Sequence, residues 1–247
     1  MNDLELAHHL AAIADDIALR YFERGVALDY KADGSYVTTA DLAVDAAIRD
    51  ELGRHRPDDA ILTEEYGTAG AVGASRRWLI DPIDGTSWFV DRTPHWGVHV
   101  ALEVDGTIEL ALISRPLHDR WWFASRGGGA HRREGSTTTP VRVSTTSDLG
   151  SARISGYVSY WSDTVDRVHE VARWVQEPSP TLALLDGRID AVIGEGGYPW
   201  DLAPSVVLVS EAGGRFTDPY GGTRLDLRAS VSSNGVLHDA VCALAWG

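Results

Sequence analysis

Trp78-Leu-Ile-Asp-Pro-Ile-Asp-Gly-Thr-Ser-Trp-Phe89 is the stretch on which the reading of this chain turns. The apolar run Trp78 to Ile80 ends abruptly in Asp81, the pattern of a buried strand that delivers a carboxylate at its C-terminal end. Asp84 follows three residues later in a Pro-containing turn that opens a helix, so both acids are presented to one point. Hard divalent ions take oxygen ligands, and a pair of ions needs one carboxylate able to bridge them. Asp81 is placed to bridge and Asp84 to bind the second ion. Gly85 and Thr86 fall at the start of the following helix, where free backbone N–H groups and the helix dipole favour a phosphate. Pro, Asp and Gly are equally the residues of an ordinary turn. Taken by itself the string divides evenly between the two readings.

Upstream, a second short apolar run, Ala60 to Leu62, also ends in acids, Glu64-Glu65, with Glu65 read as solvated. Leu6, Leu10, Ile13, Ile17 and Tyr21 recur at helical spacing, which predicts an amphipathic helix closed near Gly25. The stretch from Lys31 to Asp41 predicts a turn into a second helix with Val44, Ile48 and Leu52 on its apolar face and Asp41 in its first turn. Downstream, strands over Gly97 to Val104, Ile108 to Arg115 and Arg120 to Ser125 form an antiparallel meander through the turns at Asp105-Gly106 and Pro116 to Asp119. Gly127 to Thr139 reads as a polar mobile loop joining two halves, residues 1–135 and 136–247, of one compact unit. The second half predicts strands at Val141 to Val143, Ala152 to Tyr157 and Ile189 to Ile193 around a helix over Thr164 to Val175. A helix over Leu202 to Ala212, a strand at Arg215 to Thr217 and a last helix over Leu237 to Ala245 follow. The mixture specifies layers of helix and sheet.

The 247 residues suit one large domain or two closely packed halves, with 44% hydrophobic and 23% charged residues, an ordinary globular balance. With 22 basic against 36 acidic residues, the formal net charge of −14 opposes nucleic-acid backbones and anionic membranes. A phosphorylated substrate therefore needs a locally reversed field, which bound divalent cations supply. Cys242 is the single cysteine, so no intrachain disulfide and no cysteine-based zinc or iron–sulfur site is possible. Acids near the N-terminus and the lack of a membrane-length apolar run lead to the expectation of a cytoplasmic protein.

The motif Trp78 to Phe89, with Thr63-Glu64-Glu65 before it and Trp200-Asp201-Leu-Ala-Pro204 after it, resembles the inositol monophosphatase family. Lys31 to Asp41, Glu211 to Phe216 and Ser233-Asn234-Gly235 are similar to further family segments, so the resemblance spans nearly the whole chain. It implies an α+β fold, a layered αβαβα sandwich, and a Mg2+-dependent phosphomonoesterase with two or three ions per site. Glu64, Asp81, the Ile83 carbonyl and Thr86 would surround the first ion, and Asp81, Asp84 and Asp201 the second. Thr86, with Asp41 or Glu64 behind it, would activate water, while the Gly85 and Thr86 N–H groups hold the phosphate. Asp201 also suits a plain helix cap and Asp41 a first-turn acid. A homodimer and lithium sensitivity are further implications.

Ser114 to Ala130, Ser144 to Trp161 and Asn234 to Asp239 resemble the histidinol-phosphate phosphatase branch, which implies histidinol phosphate as substrate. Counting back from Asp190 places Glu177 where the branch has an aspartate for the substrate amine, although Gln176 to Pro180 reads equally as a rigid turn. The family's acid at the leaving group falls on Gly194, with Glu195 one position on. Trp88 stands where the family has asparagine. These departures leave another polyol, sugar or aminocyclitol phosphate as the alternative, and a catalytically silent metal-binding protein as a second one. Trp88, Trp96, Trp121 and Trp122 suit either a cleft wall or packing. The histidines show no zinc spacing, and His95 and His99 read as ordinary strand or loop positions.

Overall fold

The computed structural model describes residues 1–31, 34, 36–158 and 163–247. Ala32, Asp33 and Ser35 of the first loop, and Ser159 to Ser162 at the end of the Ser144 to Trp161 segment, lie outside the described residues. The chain divides into two compact units, one of Met1–Phe123 with Arg132–Thr138, the other of Ala124–His131 with Thr139–Gly247.

In the first unit, helix α1 (Asp3–Arg24) begins at a capping box between Asn2 and Glu5 and stops at Gly25, whose φ of 91° suits glycine. Strands β1 (Leu28–Tyr30) and β2 (Tyr36–Thr38) form a small antiparallel pair leading into helix α2 (Thr39–His55). That helix starts at a second capping box, Thr38 with Asp41. Then come β3 (Ala60–Thr63), β4 (Gly67–Gly70), β5 (Arg76–Asp84), the five-residue helix α3 (Thr86–Val90), β6 (Gly97–Val104) and β7 (Thr107–Arg115). The meander continues through β8 (Arg120–Ser125), β9 (Ala130–Glu134) and β10 (Thr137–Pro140). All but the first two strands join one sheet in the order β10-β9-β8-β7-β6-β5-β3-β4. Leu6, Leu10 and Ala14 of α1 and Val44, Ile48 and Leu52 of α2 bury completely in a cluster with Trp78, Ile80, Val98 and Val100 from the central strands. Burial of each large aliphatic side chain contributes about 1.5–3 kcal/mol, so the helices clamp the strands that carry the acids.

The second unit holds β11 (Arg153–Tyr157), α4 (Asp163–Val171), β12 (Arg173–Trp174), α5 (Pro180–Leu185), β13 (Ala191–Glu195), α6 (Pro199–Glu211), β14 (Arg215–Thr217), β15 (Ala229–Ser233) and α7 (His238–Trp246). Its sheet runs β12-β11-β13-β15-β14. Ile154, Val168, Ile193, Val231 and Val241 form its apolar core. The fully buried Asp190 ties the loops together, accepting from the Ser144 hydroxyl at 2.5 Å and the Arg153 N–H at 2.7 Å.

Several expectations need correction. Gly127 to Thr139 contains the hairpin β9–β10 rather than a mobile loop, turning at Gly135 with φ of 57°. Its exposed second strand carries threonines and no apolar alternation, so polarity hid it. The helix expected to reach Val175 ends at Val171, because Arg173 and Trp174 pair with Arg153 and Ile154 instead. Val141 to Val143 is not a strand, and α5, started by Pro180, was not foreseen.

Candidate active site

The strand carrying the first motif is longer than its apolar run. β5 continues through Asp81-Pro-Ile to Asp84, with Asp81 opposite His99 and Asp84 opposite Gly97 on β6. Three steps on β5 thus match two on β6, a β-bulge. On a regular strand residues three apart point to opposite faces. The extra residue restores the parity, and Pro82, which has no N–H to give the ladder, is suited to such a break. One ligand atom each from Asp81, Asp84 and His99 lies within 4.8 Å of the others. The turn expected after Ile80 is therefore a bulged strand end, and the bulge is what aims both carboxylates at one point.

Asp84 is held by two groups that the sequence did not single out. Arg115 Nη2 donates to Asp84 Oδ2 at 3.2 Å, and His99 Nε2 lies 3.3 Å from the same oxygen. Burial alone would raise the Asp84 pKa, but the neighbouring His99 and Arg115 charges hold it well below the usual carboxylate range. Arg115, itself buried, comes from the end of β7 and reaches past β6 at Gly97. A Cβ at Gly97 would lie 2.1 Å from Arg115 Nη1 and 2.0 Å from the Ser114 carbonyl oxygen, so the missing side chain is the guanidinium's passage. His99, expected as an ordinary strand position, belongs to the carboxylate cluster.

Thr86 joins the motif to α2. Its hydroxyl lies 3.3 Å from Asp41 Oδ1 and 3.2 Å from the Ile83 carbonyl oxygen, two acceptors for one proton. Asp41 is buried and accepts the Thr38 hydroxyl and N–H with its other oxygen. Burial raises its pKa above the usual aspartate value, with the Thr38 bonds acting against that. Gly85 precedes α3 with φ of 82°, and Trp88 closes over it: an added Cβ would meet the indole at 2.9 Å.

Glu64 emerges beside Asp81, because β3 runs parallel to β5 and the Glu64 N–H bonds the Ile80 carbonyl at 3.2 Å. Lys31 Nζ reaches Glu64 at 2.5 Å and Glu65 at 2.8 Å. Glu65 is not solvated as expected: its side chain is 3% exposed, and burial pushes its pKa up to about 7 despite Lys31. Its backbone N–H is held by the fully buried Asp45 at 3.3 Å.

The remaining candidates lie in the second unit. Asp201 stands in the first turn of α6, with Oδ2 accepting the Tyr198 N–H at 2.6 Å. Glu177 forms an ion pair with Arg188 at 2.7 Å, and Glu195 accepts the Thr164 hydroxyl at 2.9 Å. Of the tryptophans, Trp78, Trp96, Trp121 and Trp122 are buried core residues and Trp88 is half-buried.

Apart from the His99 imidazole, which faces Asp84, the donors gathered in the first unit are carboxylates, one carbonyl and one hydroxyl, the hard oxygen set that Mg2+ prefers. Protein cations already stand against them: Lys31 against Glu64, Arg115 against Asp84. The residues present thus fit a magnesium site.

The chain belongs to the inositol monophosphatase family, whose profile matches residues 2–247. Among relatives, it is 35% identical to the histidinol-phosphatase of Mycobacterium tuberculosis, over 97% of this chain and 96% of that one. A Streptomyces griseus protein named glucose-1-phosphate thymidylyltransferase is 45% identical over 98% of this chain and 96% of its own length. The structure of an inositol monophosphatase from Anabaena superposes with a TM-score of 0.82 at 26% identity, covering 98% of this chain and 94% of that one. The expected fold class, α+β of the inositol monophosphatase type, is the one the chain has. No helix among the described residues is long and apolar enough to cross a membrane.

Proposed function

We propose that this family member is a Mg2+-dependent phosphomonoesterase that hydrolyses a small phosphorylated metabolite, with histidinol phosphate the first candidate. The observation that carries the reading is the bulge that turns Asp81 and Asp84 to one face next to the Thr86–Asp41 contact. Glu64, Asp81, the Ile83 carbonyl, Asp84 and Asp201 would hold the ions, which supply positive charge for the phosphate and acidify water. The Thr86 hydroxyl orients the attacking water and passes its proton to Asp41, whose raised pKa makes it the better base. The Gly85 and Thr86 N–H groups hold the phosphate oxygens while the P–O bond to the alcohol breaks in line. The departing alkoxide takes a proton from solvent water and leaves as the alcohol. Trp88, Glu177 and Glu195 are the proposed contacts to that alcohol, and a cytoplasmic homodimer completes the reading.

The relative at 45% identity supports a second substrate, since glucose 1-phosphate is itself a sugar phosphomonoester. Glu177 also favours it, because an ion pair with Arg188 competes with any substrate amine. Phosphate release should be measured on histidinol phosphate, myo-inositol 1-phosphate and glucose 1-phosphate, the last also with dTTP. Relative kcat/KM ranks the alcohols. Preference for histidinol phosphate supports the first reading and preference for glucose 1-phosphate the second. Pyrophosphate release from dTTP, with no phosphate release from any ester, rejects both.

A further inference from the structure

A second group of side chains has the chemistry of a different metal. His9 on α1 and Glu51 and His55 on α2 place one ligand atom each within 4.8 Å of the others. His9 Nε2 and His55 Nε2 both lie 3.4 Å from one oxygen, Glu51 Oε2. That spacing is long for an imidazole N–H···O bond, whose distances centre near ~2.9–3.0 Å. His9 still makes a long hydrogen bond to Glu51 there, and the same spacing equals the edge of a tetrahedron, since bonds of about 2.0–2.1 Å to a central zinc put neighbouring ligands about 3.3–3.4 Å apart.

We infer that His9, Glu51 and His55 form a zinc-class site that clips α1 to α2, separate from the oxygen-lined magnesium site. Three observations support it. Glu51 divides its oxygens, Oε1 taking Arg54 at 2.7 Å and Oε2 facing both imidazoles, so the carboxylate is already fixed as a one-oxygen ligand. His55 is the last residue of α2, where the negative end of the helix dipole favours a cation. The side chains of His9 and His55 are 40% and 37% exposed, so an ion can enter and a water can complete the coordination. Two imidazoles and one carboxylate form a donor set that suits zinc, whereas magnesium prefers oxygen alone. The two imidazoles, packed edge to face with centroids 6.0 Å apart, would turn about their side-chain bonds to close the remaining imidazole–imidazole edge.

A further tie between these helices is Arg56, directly after His55 at the end of α2, which pairs with Asp3 of α1 at 2.8 Å. A metal bridge there would stabilise the first helix against the second, which is a structural role and leaves the carboxylate site to magnesium.

The test is a titration of the full-length protein with zinc chloride in excess Mg2+, which occupies the oxygen-lined site, followed by calorimetry and by thermal unfolding. One equivalent of zinc is expected to bind and to raise Tm, and Co2+ in its place should give the visible absorption of a four-coordinate ion. The double variant His9→Gln, His55→Gln should lose at least about 100-fold in zinc affinity, together with the rise in Tm, as expected for removal of two direct ligands. His9→Gln alone, leaving Glu51 and His55 on one helix, should give an intermediate loss. Both substituted positions are helix surface, so circular dichroism should show the variants folded. Absence of zinc binding to the native protein, or unchanged affinity in the folded double variant, would overturn the assignment.

Discussion

Two neighbouring strand ends carry acids in this protein, and they are stabilised in opposite ways. At the end of β3, Glu64 and Glu65 share one lysine, Lys31, whose side chain is 22% exposed and which directly follows β1. At the end of β5, Asp84 is locked by Arg115, 6% exposed, with His99 on the same oxygen. A long, partly hydrated lysine gives way cheaply, while a buried guanidinium does not. On the proposed reading, the Glu64 side would exchange its protein cation for a metal, and on the Asp84 side a bound metal would have to share the carboxylate with an arginine.

The largest test breaks the bridge between the two sides. Thr86→Ala removes the hydroxyl placed between Asp41 and the Ile83 carbonyl, and kcat for phosphate release should fall by about 10²–10⁴, the usual range for lost general-base assistance. Thr86→Ser should restore much of it. Arg115→Met separates the two cations more directly. Asp84 is part-exposed and keeps His99, so its loss of the buried guanidinium costs up to about 3 kcal/mol, and the metal-free variant should melt lower than the native chain. Its gain in Tm on adding Mg2+ should be larger than the native protein's, since repulsion between guanidinium and ion is gone. Lys31→Met should act in the same direction but more weakly, because Lys31 and Glu64 are each about one-fifth exposed and Glu65, whose pKa is already pushed up to about 7, can take a proton in place of the lost partner. A Lys31 effect equal to the Arg115 effect would erase the contrast.

A pH control comes from the second unit. His238 is buried between the hydroxyls of Thr217 and Ser233, each 2.9 Å from a ring nitrogen. Burial, reinforced by Arg215, lowers its pKa from 6.5 to about 4. A depressed histidine pKa means that the unfolded chain binds the proton first. Its stabilising contribution is therefore complete above pH 6.5 and is lost as pH falls through about 4. Urea unfolding measured across that window should show a shallower acid loss in His238→Gln than in the native chain, with no change in Mg2+ response.

Much of this was legible in the sequence, and for identifiable reasons. α1 and α2 announced themselves through helical spacing of Leu6, Leu10, Val44 and Ile48, and α1 also through its stop at Gly25. Asp81 and Asp84 were visible because acids directly after buried apolar runs are costly unless used. What was hidden depends on pairing across strands. Whether residues three apart share a face is decided by the bulge against His99 and Gly97, and no local pattern marks it. Arg115 stands at the start of a segment whose resemblance spoke of substrate and not of the acids, and the glycine across from Asp84 is what gives it access. Glu65 read as solvated because its burial arises from Lys31 and Asp45, residues distant in sequence. The hairpin at Ala130–Pro140 was missed for the reverse reason, since an exposed strand has no apolar face to show.

The most direct test of the central claim is phosphate release by the native protein and by Asp84→Asn, each with Mg2+ and with chelator, on the ester the panel selects. The account predicts release that requires Mg2+ in the native protein and falls by more than about 100-fold in Asp84→Asn, since losing a direct ligand should exceed the loss of an outer partner. Release that survives chelation, or that Asp84→Asn retains in full, would contradict it.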